Sequence, residues 1–142
     1  MSKDFTICIG TVGAGVWFSP NSGERWKRSK MKLPFHGEPG EVQIRSLAVY
    51  PQNPQWLLAG SEVGIYQSKD KGATWELLDS PMDGMQIWSV AVHPTNPDII
   101  CAGTKPPAVF RSLDGGKHWD KLAVPIAEKC FAGAPKVTNI IF

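Results

Sequence analysis

The sequence predicts an all-β fold, and three observations lead to that prediction. The chain of 142 residues contains 14 glycines and 12 prolines, a content that predicts frequent turns and disfavours a bundle of helices. Its apolar residues occur in short runs rich in β-branched and aromatic side chains, separated by Gly, Pro and Asn. No stretch repeats apolar residues with the helical period over a helical length. Short strands joined by turns are therefore the expected elements.

One turn sequence occurs three times along the chain. It reads Ser-x-Asp/Asn-x-Gly-x-x-Trp, and its copies begin at Ser19, Ser68 and Ser112, about 44 to 49 residues apart. Two apolar runs precede each copy, and the first of them ends in Gly. A further run that begins with Ile and ends with Pro occurs at 44–51 and again at 87–94. Four short strands in a repeat of this length are typical of a β-propeller blade.

The predicted strands make up three blades, so the whole chain, 1–142, is interpreted as a single propeller unit. Blade 1 covers 5–29 and lacks a first strand, blade 2 covers 44–79 and blade 3 covers 87–122. The lone segment 137–142 resembles the first strand of a further copy. Propellers close with about four to eight blades, which leaves two alternatives. The chain is either a fragment of a larger propeller or half of a six-bladed homodimer. The lone strand 137–142 could supply the first strand that blade 1 of a partner lacks, which favours the homodimer.

Each residue type in the repeated turn has a structural role. The Asp or Asn side chain can accept backbone N–H groups of its own turn, and Gly permits a positive φ. The Trp is expected to return the chain into the apolar space between neighbouring sheets. This structural set comprises Ser19, Asn21, Gly23, Trp26, Ser68, Asp70, Gly72, Trp75, Ser112, Asp114, Gly116 and Trp119.

These three segments resemble the Asp-box (BNR) repeats of sialidases, sortilin-type receptors, xyloglucan-degrading glycoside hydrolases and photosystem II assembly-factor propellers. Asp70 and Asp114 match the pattern, whereas Asn21 is a conservative departure from it. The resemblance covers about 5–142 and implies a β-propeller. It does not fix an activity, because such propellers include enzymes and binding scaffolds. It also implies that the boxes lie away from the ligand site.

Propeller ligands usually lie near the central axis, among the loops that enter the innermost strand. Here those loops are about 30–43, 79–86 and 123–136. Arg45 and Trp88 occupy equivalent positions in two first strands, so both side chains are expected along the channel wall. The candidates for the ligand face are His36, Arg45, Glu62, Trp88 and Lys105.

The leading prediction is a non-catalytic scaffold that recognises a protein or a small ligand, such as a carbohydrate, on this face. The alternative is a glycoside hydrolase, sialidase-like or xyloglucanase-like, or a fragment of one. Glycoside hydrolysis generally needs two carboxylates about 5 to 9.5 Å apart, and the candidates are Glu41, Glu62 and Asp83. A sialidase site also needs a cluster of arginines, but only Arg45 of this chain is expected near the axis.

Composition disfavours several other classes. A formal net charge of +2 predicts neither nucleic-acid nor membrane partners, and no apolar run approaches the roughly 20 residues of a membrane helix. The three cysteines are an odd number without a CxxC pair, which disfavours a disulfide framework and a zinc site. We therefore expect a reducing, cytoplasmic location, no metal and no cofactor.

Overall fold

The computed structural model describes residues 4–33, 41–131 and 133–142, and its fold is all-β, as the sequence predicts. Within those ranges the strands form three sheets. The strands are β1 (Ile7–Gly10), β2 (Val16–Ser19), β3 (Lys27–Arg28), β4 (Lys30–Met31), β5 (Ile44–Tyr50), β6 (Asn53–Ser61), β7 (Ile65–Ser68), β8 (Thr74–Leu77), β9 (Gln86–Val92), β10 (Ile100–Lys105), β11 (Val109–Ser112) and β12 (Asp120–Leu122). No helix in the described part is long and apolar enough to cross a membrane.

Each sheet corresponds to one repeat of the sequence. Blade 1 is β1-β2-β3, blade 2 is β5-β6-β7-β8 and blade 3 is β9-β10-β11-β12, with neighbouring strands antiparallel throughout. The first two strands of blades 2 and 3 have the same register, because Ser46 faces Gly60 and Ser89 faces Gly103. The repeated sequence therefore produces repeated pairing.

The outer edge of blade 1 differs from the predicted strand at 25–29. Only Lys27–Arg28 pairs with β2, and the next residues leave blade 1 for blade 2, where β4 runs parallel to β8. Ser29 lies buried at the crossing, where its N–H donates to the Val16 carbonyl oxygen at 2.9 Å and its hydroxyl donates to the Gly72 carbonyl oxygen. The chain changes sheet here because the N–H groups of Lys30 and Lys32 find their acceptors in blade 2, the carbonyl oxygens of Ala73 and Trp75.

The core lies between the blades. One cluster joins blades 1 and 2, and a second joins blades 2 and 3. The inner strands β5 and β9 also contact each other directly. The first cluster includes Val16, Ile44, Leu57, Tyr66 and Trp75, and the second includes Leu58, Ile65, Ile87, Ile100 and Phe110. Neighbouring blades therefore stabilise each other by burying apolar side chains.

The C-terminal segment 137–142 forms no strand within the chain, although it was expected to be a lone first strand. It nevertheless lies along the inner edge of blade 3. The Val137 N–H donates to the Thr104 carbonyl oxygen at 3.2 Å, and the Ser89 hydroxyl donates to the Val137 carbonyl oxygen at 2.9 Å. A segment becomes a strand only when an adjacent strand exchanges regular backbone hydrogen bonds with it, and none of the described strands does so with 137–142.

Candidate functional site

The carboxylates of the repeated turns are engaged within their own turns. Asp70 Oδ1 accepts the Thr74 N–H at 2.8 Å and the Ser68 hydroxyl at 2.9 Å, while the Gly72 N–H donates to the Ser68 hydroxyl oxygen at 2.9 Å. The turns at Ser19 and Ser112 have corresponding bonds. The three glycines have φ values of 98°, 87° and 94°, in the region that glycine favours.

Hydrogen bonding keeps these carboxylates ionised. Partial desolvation opposes ionisation of Asp70, but the bonds from Thr74 and Ser68 outweigh it and lower the pKa of that carboxyl. The backbone N–H and the ring of His118 hold the pKa of Asp114 well below its usual range, and the Asp114 oxygen lies 2.5 Å from His118 Nδ1. Both groups therefore act as anionic acceptors for the turn at neutral pH.

A different cluster lies at the start of the inner strands, where Trp88 is in contact with two cationic side chains. The guanidinium carbon of Arg45 lies 4.3 Å from the centroid of the Trp88 ring, and Lys136 Nζ lies 3.9 Å from it. Strands β5 and β9 position Arg45 and Trp88 at equivalent places, because each residue follows the first isoleucine of its strand. We name these three residues the axial cluster.

Two glutamines orient the axial cluster. Arg45 Nη2 donates to Gln43 Oε1 at 2.8 Å, and the Trp88 indole N–H donates to Gln86 Oε1 at 3.1 Å. Among the described residues, neither Arg45 nor Lys136 forms an ion pair, and Arg45 Nε is buried without an acceptor. The cluster therefore presents two positive charges that the described part of the chain leaves uncompensated.

Two of the other predicted ligand-face residues border this cluster. Glu62 follows β6, and its Oε2 accepts the Gln43 N–H at 2.7 Å. Lys105 ends β10 opposite Gln86. The carboxylate of Glu62 also acts on Tyr66, whose pKa is raised to about 12, first by burial and then by this charge. His36 lies outside the described residues.

The three candidate carboxylates lie in three different loops, before β5, between β6 and β7, and before β9. Asp83 is exposed, and its pKa is raised by partial desolvation and then by the charge of Asp79. Glu41 is exposed at the start of the described loop, and Glu62 is bonded to the backbone. In the described ranges, no group of three His, Cys, Asp or Glu side chains comes close enough to hold a metal ion.

Lys136 is not among the ligand-face residues that the sequence predicts. A signal for it exists, because Lys136 immediately precedes Val137 as Gln43 precedes Ile44 and Gln86 precedes Ile87. Aligning the incomplete last repeat with the other two would have placed Lys136 beside the axis. The contact itself depends on how neighbouring inner strands pack, which a linear repeat does not give.

Comparison with solved structures decides the architecture. An ancestral GH74 enzyme superimposes with a TM-score of 0.66 at 22% identity, over 85% of this chain and 17% of the enzyme. YCF48 bound to D1 peptide superimposes with a TM-score of 0.64 at 15% identity, over 85% of this chain and 38% of YCF48. The fold is that of a partial β-propeller. YCF48 from Cyanidioschyzon merolae gives a TM-score of 0.62 at 16% identity, again over 85% and 38% of the two chains.

The match is structural, and the identities show the fold alone. No protein-family model matches the sequence, and the search of curated proteins gave no match. The partial propeller spans less than two fifths of the length of each of these three structural neighbours. Because a shared fold does not identify a function, the function has to be argued from the residues of the site.

Proposed function

We propose that this chain is a non-catalytic binding unit of the Asp-box repeat type, and that its axial cluster binds an acidic peptide segment of a protein. The observation that carries the proposal is the contact of Arg45 and Lys136 with Trp88, since the described part of the chain supplies neither cation with a carboxylate. A carboxylate ligand would supply that missing charge, and Arg and Lys donors form their strongest hydrogen bonds to such groups.

The Trp88 ring beside the two cations favours a peptide over a free anion. The ring is half-buried, so its exposed part offers apolar area to a side chain or backbone that follows the carboxylate, while the cations fix the charge. A neutral carbohydrate could stack on the ring but would leave both charges uncompensated. The structure of YCF48 with a D1 peptide supports this choice, because a propeller of the same fold accommodates a peptide.

Fluorescence anisotropy tests the proposal with a labelled peptide rich in Asp and Glu and ending in a free carboxylate. We expect binding that weakens as salt is raised, because exposed charges are screened. Arg45→Gln and Lys136→Gln should each weaken binding about tenfold, as expected for the loss of one charge-assisted contact. Lys121→Gln is the matched control, since it removes the same charge from the exposed outer strand β12.

Two results would contradict this function. The first is equal binding by the Arg45→Gln, Lys136→Gln and Lys121→Gln variants, which would mean a non-specific charge effect. The second is equal binding of a peptide in which Asn, Gln and an amidated C-terminus replace the acidic groups. Circular dichroism of each variant shows whether a loss of binding is a loss of folding.

Glycoside hydrolysis remains the alternative, and the shared fold with a GH74 enzyme favours it. Glu62 is its best-placed carboxylate, because its Gln43 contact joins it to the axial cluster. Assays with aryl glycosides and with xyloglucan oligosaccharides test this directly. Turnover that disappears in Glu62→Gln would establish the hydrolase, and no turnover by the parent chain would remove it.

We also propose a reducing, cytoplasmic location. The thiols of Cys8, Cys101 and Cys130 are all free, which supports it. Burial raises the pKa of the Cys8 and Cys101 thiols, so both are protonated at neutral pH.

A further inference from the structure

Among the described residues, blade 1 has no inner strand of the kind that blades 2 and 3 possess. In the described part of the chain, β1 pairs with β2 alone, whereas β6 and β10 each pair on both sides. A groove of about 250 Å³ runs beside β1, lined chiefly by Cys8, Leu47, Val49 and Leu57. The free edge and this apolar groove lie where an inner strand of blade 1 would lie.

Residues 137–142 lie beside blade 3, where the inner strand of a fourth blade would lie. The Val137 N–H donates to the Thr104 carbonyl oxygen of blade 3. In the same way, the Ile44 N–H, at the start of the inner strand of blade 2, donates to the Thr11 carbonyl oxygen next to β1 at 2.8 Å. The equivalent glycines of β1, β6 and β10 show the same relation. A Cβ placed on Gly10, Gly60 or Gly103 would collide with Ile44, Ile87 or Val137, respectively. Val137 therefore begins a fourth inner strand.

We propose that residues 137–142 of one copy add to the free edge of β1 in a second copy, and that the reciprocal contact closes a ring of six blades. The registers of blades 2 and 3 specify the pairing. Transferred to blade 1, they place Asn139 opposite Gly10, Ile140 opposite Ile9 and Ile141 opposite Cys8. This assembly is independent of the acidic-peptide function, because the axial cluster is complete within one chain.

Exposed apolar surface at both ends of the unit matches this occupant. Ile141 is 86% exposed and Phe142 is 52% exposed at one end. At the other end Ile9 is 42% exposed, whereas its equivalent in blade 2, Ala59, is fully buried by blade 1. In the ring, blade 3 of one copy covers this face of blade 1 in the other, as blade 1 covers blade 2.

Disulfide trapping tests the register. In a Cys101→Ala, Cys130→Ser background with oxidised glutathione added as the oxidant, Ile141→Cys should form a disulfide with Cys8 of the second copy, because directly opposed residues bring their Cβ atoms within bridging distance. The expected product migrates at about 31 kDa, twice the 15.6 kDa of one chain, on a non-reducing gel. Ile140→Cys is the matched control, since its side chain points to the opposite face and should trap at least tenfold less.

Light scattering on a sizing column gives the oligomeric state of the unmodified chain. A species of about 31 kDa that Ile141→Asp converts into folded monomer supports the proposal. A folded monomer at all concentrations up to the millimolar range overturns it, and so does equal trapping by Ile140→Cys and Ile141→Cys. Neither result affects the peptide-binding test, so the two proposals can fail separately.

Discussion

Blades 1 and 2 carry a tryptophan at the same place in the same turn, and its burial differs between them. Trp75 is 2% exposed, whereas Trp26 is 41% exposed. In both turns the Gly N–H donates to the Ser hydroxyl oxygen, and the N–H before the Trp donates to the Asn21 or Asp70 side chain. The difference therefore arises outside the blade. Trp75 packs in the cluster between blades 1 and 2, and no described residue provides such a neighbour for Trp26.

In a repeat protein, a turn can therefore form its local hydrogen bonds whether or not its Trp contributes to stability. Each turn forms from its own sequence, but its Trp contributes apolar burial only where another blade covers it. Stability should therefore be concentrated at the two interfaces between blades and be low at the open faces. Four measurements of unfolding stability test this expectation.

The largest effect is expected for Trp75→Ala. Truncating a fully buried aromatic side chain should lower the free energy of unfolding by about 3 to 5 kcal/mol. Trp26→Ala is the matched substitution in blade 1 and should cost less than about 1 kcal/mol in the monomer. Urea denaturation followed by circular dichroism measures both. Equal losses would show that burial at the interface does not decide the contribution of this residue.

A smaller effect is expected for Gly60→Ala. The added Cβ would lie 2.8 Å from Ile87 Cγ2 and 2.9 Å from the Ile87 carbonyl oxygen, a backbone atom within a paired strand. Overpacking of this kind costs about 1 to 3 kcal/mol. The Cβ of Gly103→Ala also meets the opposite serine, as that of Gly60→Ala does, but its other neighbour is the Val137 side chain, in a segment that no ladder restrains, so it should cost less. A larger loss for Gly103→Ala in urea denaturation would contradict the proposed difference between interface and open end.

Removing the turn carboxylate should cost about 1 to 2 kcal/mol, because Asp70→Ala leaves the Thr74 N–H without its acceptor. Asn21→Ala removes the same type of bond in blade 1, but Asp70 has in addition a 2.6 Å bond from the Thr74 hydroxyl. The loss should therefore be larger for Asp70→Ala. Equal losses in thermal and urea unfolding would show that the extra bond contributes nothing.

The smallest effect is a pH dependence. The pKa values of Asp70 and Asp114 are lower in the folded chain, so ionisation stabilises the fold at pH values above about 4, the ordinary carboxyl pKa. This contribution is lost as the pH falls through the folded values. The urea midpoint should drop as the pH falls from about 4 towards 2, and the drop should be smaller in an Asp70→Asn, Asp114→Asn variant. An unchanged drop in that variant would assign the acid sensitivity to other carboxylates.

Repeat spacing made most of the fold predictable, because strand pairing within a blade is local. The Ser, Asp and Gly of each turn specify hydrogen bonds within five residues, and the apolar runs beside them have one possible neighbour in a hairpin. The transfer of 30–31 to blade 2 was not predictable, since Lys30 bonds to the Ala73 carbonyl oxygen far along the chain. That pairing depends on where blade 2 lies.

The candidate site divides in the same way. Arg45 and Trp88 were recognisable as equivalent inner-strand positions, but their 4.3 Å contact and the approach of Lys136 result from the packing of neighbouring inner strands. The blades, their turns and their strand order follow from the sequence of each repeat, because they depend on contacts within that repeat. Which tryptophans are buried and which charges meet depends on how the blades pack, because these contacts form between residues of different blades.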